Sequence, residues 1–400
     1  MKLTKIIKNG FLSAFGVWRN ELNNVFGDLG IIILFIVAPL GYPAIYALIY
    51  NKEASRETPF VVVDQSHTSL SRAFVHKIDA SPLVSVYREA TGMDAAQTLI
   101  KKKEAYGIVL IPADFSKNIH TGKQATVLYY GDMSVLLFYK NILQAVTEAT
   151  FEMGDVISPG SENTRPVPYE TVSLFNPQNG FASFLIPAIL ILVIQQTLLF
   201  GTGMLAATIR SKNNGQLIPP GTMHQGTLRI VFGKAAAYLT IYSFGSIWAL
   251  VILPRLFHLI TLSTYQTLLA FLLPFLLACI FFAMLVASFI RGRETPMMIL
   301  AFTSFPFLFL TGISWPTTDI PFFWKIVSYV APSTFGVAGF VKLNSMGATL
   351  QDVALEYRAL WLQTGVYFIL TCLVYRYNIR KQLIGRIQRL HADSADFRRR

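Results

Sequence analysis

The residues in this chain best suited to an interaction are four cations in one short stretch. From Arg210 to Lys234 the sequence reads RSKNNGQLIPPGTMHQGTLRIVFGK, containing Arg210, Lys212, Arg229 and Lys234 and no acid. Such a stretch supports electrostatic contact with an acidic surface or with anionic headgroups, not bond making. Long apolar runs flank it, at 181–207 and 235–253. Polar side chains also occur inside the first of these runs, where Gln195, Gln196 and Thr197 stand near the middle. They suit the lining of a translocation path, and equally hydrogen bonding between helices, which averages about 0.6 kcal/mol. Patterns for catalysis are missing. Gly233-Lys234 is followed by Ala235, with no glycine-rich strand-to-helix loop before it, so no phosphate cradle is encoded. The sequence has no H-E-x-x-H and no nucleophile elbow, and its apolar runs hold no pair of carboxylates. The chain is therefore expected to be non-catalytic and to bind no cofactor or metal itself.

What must position these residues follows from composition. Hydrophobic residues make up 53% of the 400 positions, too many for a soluble enzyme. Several uncharged stretches are long enough for a hydrocarbon core about 30 Å thick. The net charge of +12 would suit nucleic acid, but its distribution argues against that partner. Residues 1–28 carry net +2, 208–234 carry +4, 291–294 carry +1 and 376–400 carry +6, whereas 51–179 carry −2. The excess lies in the segments that an even number of crossings puts on one side, the positive-inside pattern. Cys279 and Cys372 both fall in apolar runs, so no disulfide is expected in the polar region 51–179.

The expected fold is an α-helical integral membrane protein with six transmembrane helices and an extracytoplasmic α/β domain inserted between the first and second. Residues 1–28 form a cytoplasmic amphipathic helix, with Phe11, Phe15, Trp18, Leu22 and Phe26 at headgroup depth. The first span is 29–50, with a kink expected at Pro39 and Pro43. Within 51–179, strands are expected near 60–64, 83–87, 106–111 and 125–130, alternating with helices near 67–79 and 93–103 before a long helix at 135–156. That alternation implies a partly parallel sheet. Residues 158–168 read as loop. The remaining spans are expected at 181–207, 235–253, within 259–290, at 296–313 and at 359–375, making 180–375 a five-helix membrane domain. The basic loop occupies 208–234, and an outer segment at 314–358, too apolar for a free loop and broken by prolines, lies at or dips into the interface. A basic tail, 376–400, follows; both termini are then cytoplasmic.

Four stretches carry a resemblance to a known family. Asp28 precedes the first span, which contains Pro39-Leu40 and Tyr46. From Val61 the chain reads VVVDQSHTSLSRAFVHKIDAS, and from Ala105 it reads AYGIVLIPADF. Between 310 and 340 come Gly312, Pro316, Pro321, Pro332 and Gly336. In this order the sequence resembles the permease subunits of type-2 ABC exporters, in the branch with a large extracytoplasmic domain. The resemblance implies a multi-pass protein of the cytoplasmic (inner) membrane that moves an amphiphilic substrate outward. Energy would come from ATP and Mg bound by a separate cytoplasmic ABC ATPase. It also implies a second permease copy or paralogue and, beyond these, a periplasmic adaptor and an outer-membrane channel. Carried onto this chain, the ATPase contact falls on Arg210, Lys212, Gly215, Gln216, Leu217, Arg229 and Lys234, and the outer gate on Gly312, Pro316, Pro321 and Pro332. One motif departs. The family's first cytoplasmic loop often carries glutamate-arginine-glutamate, and here Ser211-Lys212-Asn213 stands instead, so the acidic pair is absent. The rival expectation is an ATPase-regulated envelope scaffold or membrane sensor that transports nothing.

Overall fold

The computed structural model describes residues 2–49, 56–157, 181–219, 226–258, 261–313 and 315–397. The expected loop at 158–168 and the terminal Arg398, Arg399 and Arg400 lie outside them. The chain divides into two compact units, one of Met1–Asn51 with Gly180–Arg400 and one of Lys52–Asn179.

The smaller unit is a four-stranded sheet in the order β2-β1-β3-β4. Strand β1 (Thr58–Asp64) runs parallel to β2 (Val84–Glu89) and to β3 (Gly107–Ile111), and β4 (Leu128–Gly131) closes the edge antiparallel to β3. Phe60 and Val62 face one side of the sheet, with Phe74 and Ile78 of α3 (Ser69–Asp79) and Ile142 of α6 (Leu136–Ile157). Val61 and Val63 face the other, with Ala96 of α4 (Met93–Lys101). Cover on both faces is why this strand is a continuous apolar run and not an alternating one. A short helix, α5 (Phe115–His120), follows β3. The Asp64–Ser71 turn is a helix cap. Asp64 accepts the backbone N–H of Ser66 (2.9 Å) and the Ser71 hydroxyl (2.6 Å), while Thr68 caps α3 by accepting Ser71 N–H at 3.1 Å. Past β4, Lys103 donates to Asp132 at 2.5 Å. That hydrogen bond holds the Asp132 carboxyl down at about 2.

The larger unit is helical. Helix α1 (Lys2–Phe26) is followed by α2 (Leu29–Ile49), α7 (Phe181–Lys212), α8 (Thr227–Leu256), α9 (Tyr265–Ala287), α10 (Thr295–Leu310), α11 (Phe322–Ser328), α12 (Pro332–Met346) and α13 (Ala354–Phe397). Five of them are long and apolar enough to cross a membrane: α2, α7, α8, α9 and α13. Helix α10, at 16 residues, is shorter than the span expected at 296–313, because the chain turns at Thr311 and Gly312. The pair α11 and α12 is bent by 88°.

Helices α7 and α9 form the middle of this unit, with α13 along α9 and α12 wedged against both. Helix α2 buries Ile31, Phe35, Pro39, Pro43 and Ala47, one residue in four. In a straight helix of about 3.6 residues per turn such a stripe drifts by about 40° per step. A π turn at Ile33–Val37, where Ala38 N–H reaches back to Ile33 C=O, takes back part of that drift. It stands just before Pro39, which has no N–H to give. A second π turn, Trp248–Ile252 in α8, stands in the same relation to Pro254.

Two helices run beyond the limits expected from the sequence, and a third packs on the bundle. Helix α8 begins at Thr227, so Arg229 and Lys234 lie in a helix and not in the loop. Nothing between 227 and 234 breaks a helix, and a helix continues through charge where side chains can be accommodated. The helix expected to end at 375 runs on to Phe397, 44 residues in all and about 66 Å long at 1.5 Å per residue. Helix α1 packs lengthwise on α8 through Val17, Glu21 and Val25, leaving Phe11, Phe15 and Phe26 exposed.

The α1–α8 contact is close. A Cβ at Gly233 would come within 2.7 Å of Ala14 C=O and of Val17 Cβ. Gly233→Ala should therefore lower stability by about 1–3 kcal/mol, whereas Gly16→Ala, with open space around it, should be neutral or stabilising; thermal unfolding in detergent reads both. In the smaller unit, the stability due to the lowered Asp132 is present above about pH 4 and is lost as pH falls through about 2. Lys103→Met should flatten the unfolding-against-pH profile in that window.

Candidate functional site

Two clusters of polar groups are buried in the helical unit. The first lies at the loop end, where α7 gives way to α8. Arg210, in the last turn of α7, is buried. Its guanidinium donates to Ser288 C=O (2.5 Å) and to Ile290 C=O, carbonyls just past the end of α9. A helix C-terminus leaves carbonyls without partners and carries partial negative charge, so a cation there is stabilising. The same turn sends Arg293 back to Asp28 (3.2 Å) and to Thr208 of α7 (3.0 Å). Asp28 in turn caps α2 by accepting Gly30 N–H at 3.0 Å.

Lys234 of α8 is buried as well. It donates to both carboxylate oxygens of Glu21 on α1, at 2.6 and 2.7 Å, and the Tyr238 hydroxyl donates to the same carboxylate. Side-chain exposure is 6% for the lysine and 4% for the glutamate. Removing one partner of such a pair strands a buried charge at a cost of about 3–5 kcal/mol. Next to the pair, Ile209 and Leu217 meet Met284 of α9 and Tyr375 of α13 around a small cavity.

The structure therefore separates the seven residues expected to contact an ATPase. Arg210 and Lys234 turn inward, and Leu217 is buried in the core with Ile218. Arg229 is half-buried beside Gly10 of α1. Lys212 and Gly215 are exposed and Gln216 half-exposed, at a turn where Asn214 and Gly215 both take left-handed backbone angles (φ +50° and +81°). Sequence reasoning missed Glu21. Its signal was an acid centred on the Val17–Glu21–Val25 stripe, four residues from an apolar side chain on either side.

The second cluster joins α7 to α12. Pro332 opens α12 without an N–H, and the next donor, Ser333 N–H, is buried. Gln195 Oε1 accepts it at 2.6 Å, and the Cys279 thiol points to the same oxygen at 4.0 Å. Gln196 donates to Thr303 of α10 at 3.5 Å, and Thr197 folds back on Val193 C=O of its own helix. The corner between α11 and α12 is held by α13. Gln363 donates to Tyr329 C=O at 2.7 Å and Tyr367 to Val330 C=O at 2.5 Å. Of the expected gate residues, Pro316 and Pro321 are exposed, Gly312 is half-buried with φ +88°, and Pro332 is buried. Among the described residues, no group of three or more His, Cys, Asp or Glu side chains is placed to hold a metal ion.

Replacing the two glutamines should give unequal results. Gln195→Leu leaves Ser333 N–H buried without an acceptor, a loss of about 1–3 kcal/mol, whereas Gln196→Leu removes one long bond and should cost under about 1 kcal/mol. Thermal unfolding of the two variants in detergent measures the difference, and Gln195→Glu, which keeps an acceptor, should recover part of it.

No protein of curated function matches the chain. The family pattern described as "ABC-2 family transporter protein" matches residues 29–373, from the first residue of α2 into α13. That match spans most of the sequence, including Arg210, Lys234 and the whole second cluster but not Glu21 or Asp28, and with the long apolar helices it places the chain in the ABC-2 transporter family, as a multi-pass membrane permease subunit, membership that implies partnership with an ABC ATPase subunit.

Proposed function

We propose that this permease exports an amphiphilic substrate, driven by a cytoplasmic ABC ATPase that docks on the turn between α7 and α8. The observation that carries the reading is the contrast within the basic stretch. Among its described residues the polar surface is a turn, Lys212 to Gln216, followed directly by the buried Leu217 and Ile218. A solvated turn seated on the bundle core is suited to receive a push and pass it on. With the positive segments inside, this end is cytoplasmic and the unit of residues 52–179 lies outside. ATP acts on the permease only through its preference for one of two arrangements of these helices.

The opposite end of the bundle would hold the exit. Helix α12, bent back against α11 and held at its first turn by Gln195, is the element whose release would open a route, with Gly312, Pro316, Pro321 and Pro332 at its approach. A second copy completes the path. The support is helix α10, where Met298, Phe302, Phe305 and Phe309 make an exposed apolar face and only Pro296 is buried. A periplasmic adaptor and an outer-membrane channel would meet the outside unit.

Three measurements test this. Cysteines at Asn213 and Asn118 should label from opposite sides of the membrane; same-side labelling ends the proposed orientation. Deleting residues 215–220 should leave the protein inserted while abolishing permease-dependent ATP hydrolysis and ATP-driven flux of a fluorescent lipophilic dye in proteoliposomes. ATP turnover without flux in the wild type would point to a scaffold. Phe302→Cys should form a disulfide-linked dimer in membranes, and its absence under oxidant would move the second copy off α10.

A further inference from the structure

We infer that Arg210 and Lys234, the cations at the two ends of the basic stretch, transmit the movement of the loop into the bundle and do not contact the ATPase. The inference rests on the coupling reading above and assigns its internal wiring. Each cation is buried and held within the chain, Lys234 by a carboxylate and Arg210 through its two terminal nitrogens. Lys234 is held by both oxygens of Glu21, which Tyr238 also contacts, so the start of α8 is tied to α1. Arg210 is held by the carbonyls of Ser288 and Ile290, so the end of α7 is tied to the turn between α9 and α10. That turn is fastened a second time, by Arg293 to Thr208 and Asp28, which joins it to the start of α2.

The loop thus has two arms. One leads through Lys234 to α1, and the other through Arg210 to the ends of α9, α10 and α2. Sliding either arm past its partner would strand a buried charge or leave carbonyls without donors, both of which are unfavourable in an apolar interior. A displaced loop therefore carries both arms with it. Among the described residues of the loop, the turn at Lys212, Gly215 and Gln216 stays at the surface, where it can meet the partner.

The test uses the full-length permease with its ATPase, reconstituted in lipid nanodiscs. Three variants interrupt or restore the wiring: Arg210→Met, the neutral pair Glu21→Met with Lys234→Met, and the exchanged pair Glu21→Lys with Lys234→Glu. Two quantities are read, the ATPase-to-permease ratio after purification and the factor by which the permease changes the rate of ATP hydrolysis. Arg210→Met and the neutral pair should keep the wild-type ratio while the factor falls about tenfold, and the exchanged pair should restore most of it. Lys212→Ala with Gln216→Ala should do the reverse, lowering the ratio itself. Loss of the ATPase from the Arg210 or neutral-pair complex would make these residues contacts, and wild-type regulation in both would make them packing only. Either result overturns the inference, as does an exchanged pair no better than the neutral one. If the wild-type permease retains no ATPase at all, the coupling reading itself fails.

Discussion

A backbone donor or acceptor with no partner costs several kcal/mol in an apolar slab, and the helical unit is organised around meeting that constraint where a helix cannot. Several irregularities among the described residues have a side chain or a local rearrangement assigned to them. Where α12 starts inside the bundle, Gln195 supplies an acceptor to Ser333. Where the chain turns after α9, Arg210 supplies donors to two carbonyls. Where α11 bends into α12, Gln363 and Tyr367 cover the carbonyls of Tyr329 and Val330. Before Pro39 and Pro254 the helices widen into π turns. Gln195, Gln363 and Tyr367 thus stand where regular hydrogen bonding lapses.

The same constraint sorts the charges. A cation in the bundle persists only with an engaged partner, and Lys234 and Arg210 have theirs in Glu21 and in the chain turn. The cations left at the surface, such as Lys212, Arg376 and Arg380, face solvent or headgroups. The net positive charge of this end is thus two populations with different physical roles. One lies exposed at the surface, and the other holds helices together. A count of charges along the sequence merges them.

Packing is uneven in a way that bears on movement. Helices α7 and α9 are buried on most sides, whereas α10 buries little of its surface and α11 exposes Phe322, Phe323 and Trp324. Helix α12 lies tight on α9, with Gly336 and Gly339 against Phe275 and Phe271, where any larger side chain would collide. A rigid centre with a loosely held periphery localises rearrangement at the periphery, since low local packing goes with low local stability.

The sequence by itself determined the class, the inserted unit's strand–helix alternation and the approximate place of most membrane helices. These follow from composition and from spacing along one chain: FVVV bounded by Asp64 reads as a buried strand, and uncharged runs such as 259–290 read as holding a span, whatever they pack against. It also determined which side chains were unusual, since Gln195 and Gln196 stand out in an apolar run. Only the tertiary structure decided what those side chains meet. Glu21 and Lys234 are 213 positions apart, and Gln195 reaches a donor 138 positions away. No periodicity along either helix encodes the partner's position, because it depends on how α1 and α12 are laid against their neighbours. For the same reason the helical limits of α8 and α13 ran beyond the apolar residues: a helix ends where its backbone loses partners, not where its side chains become charged.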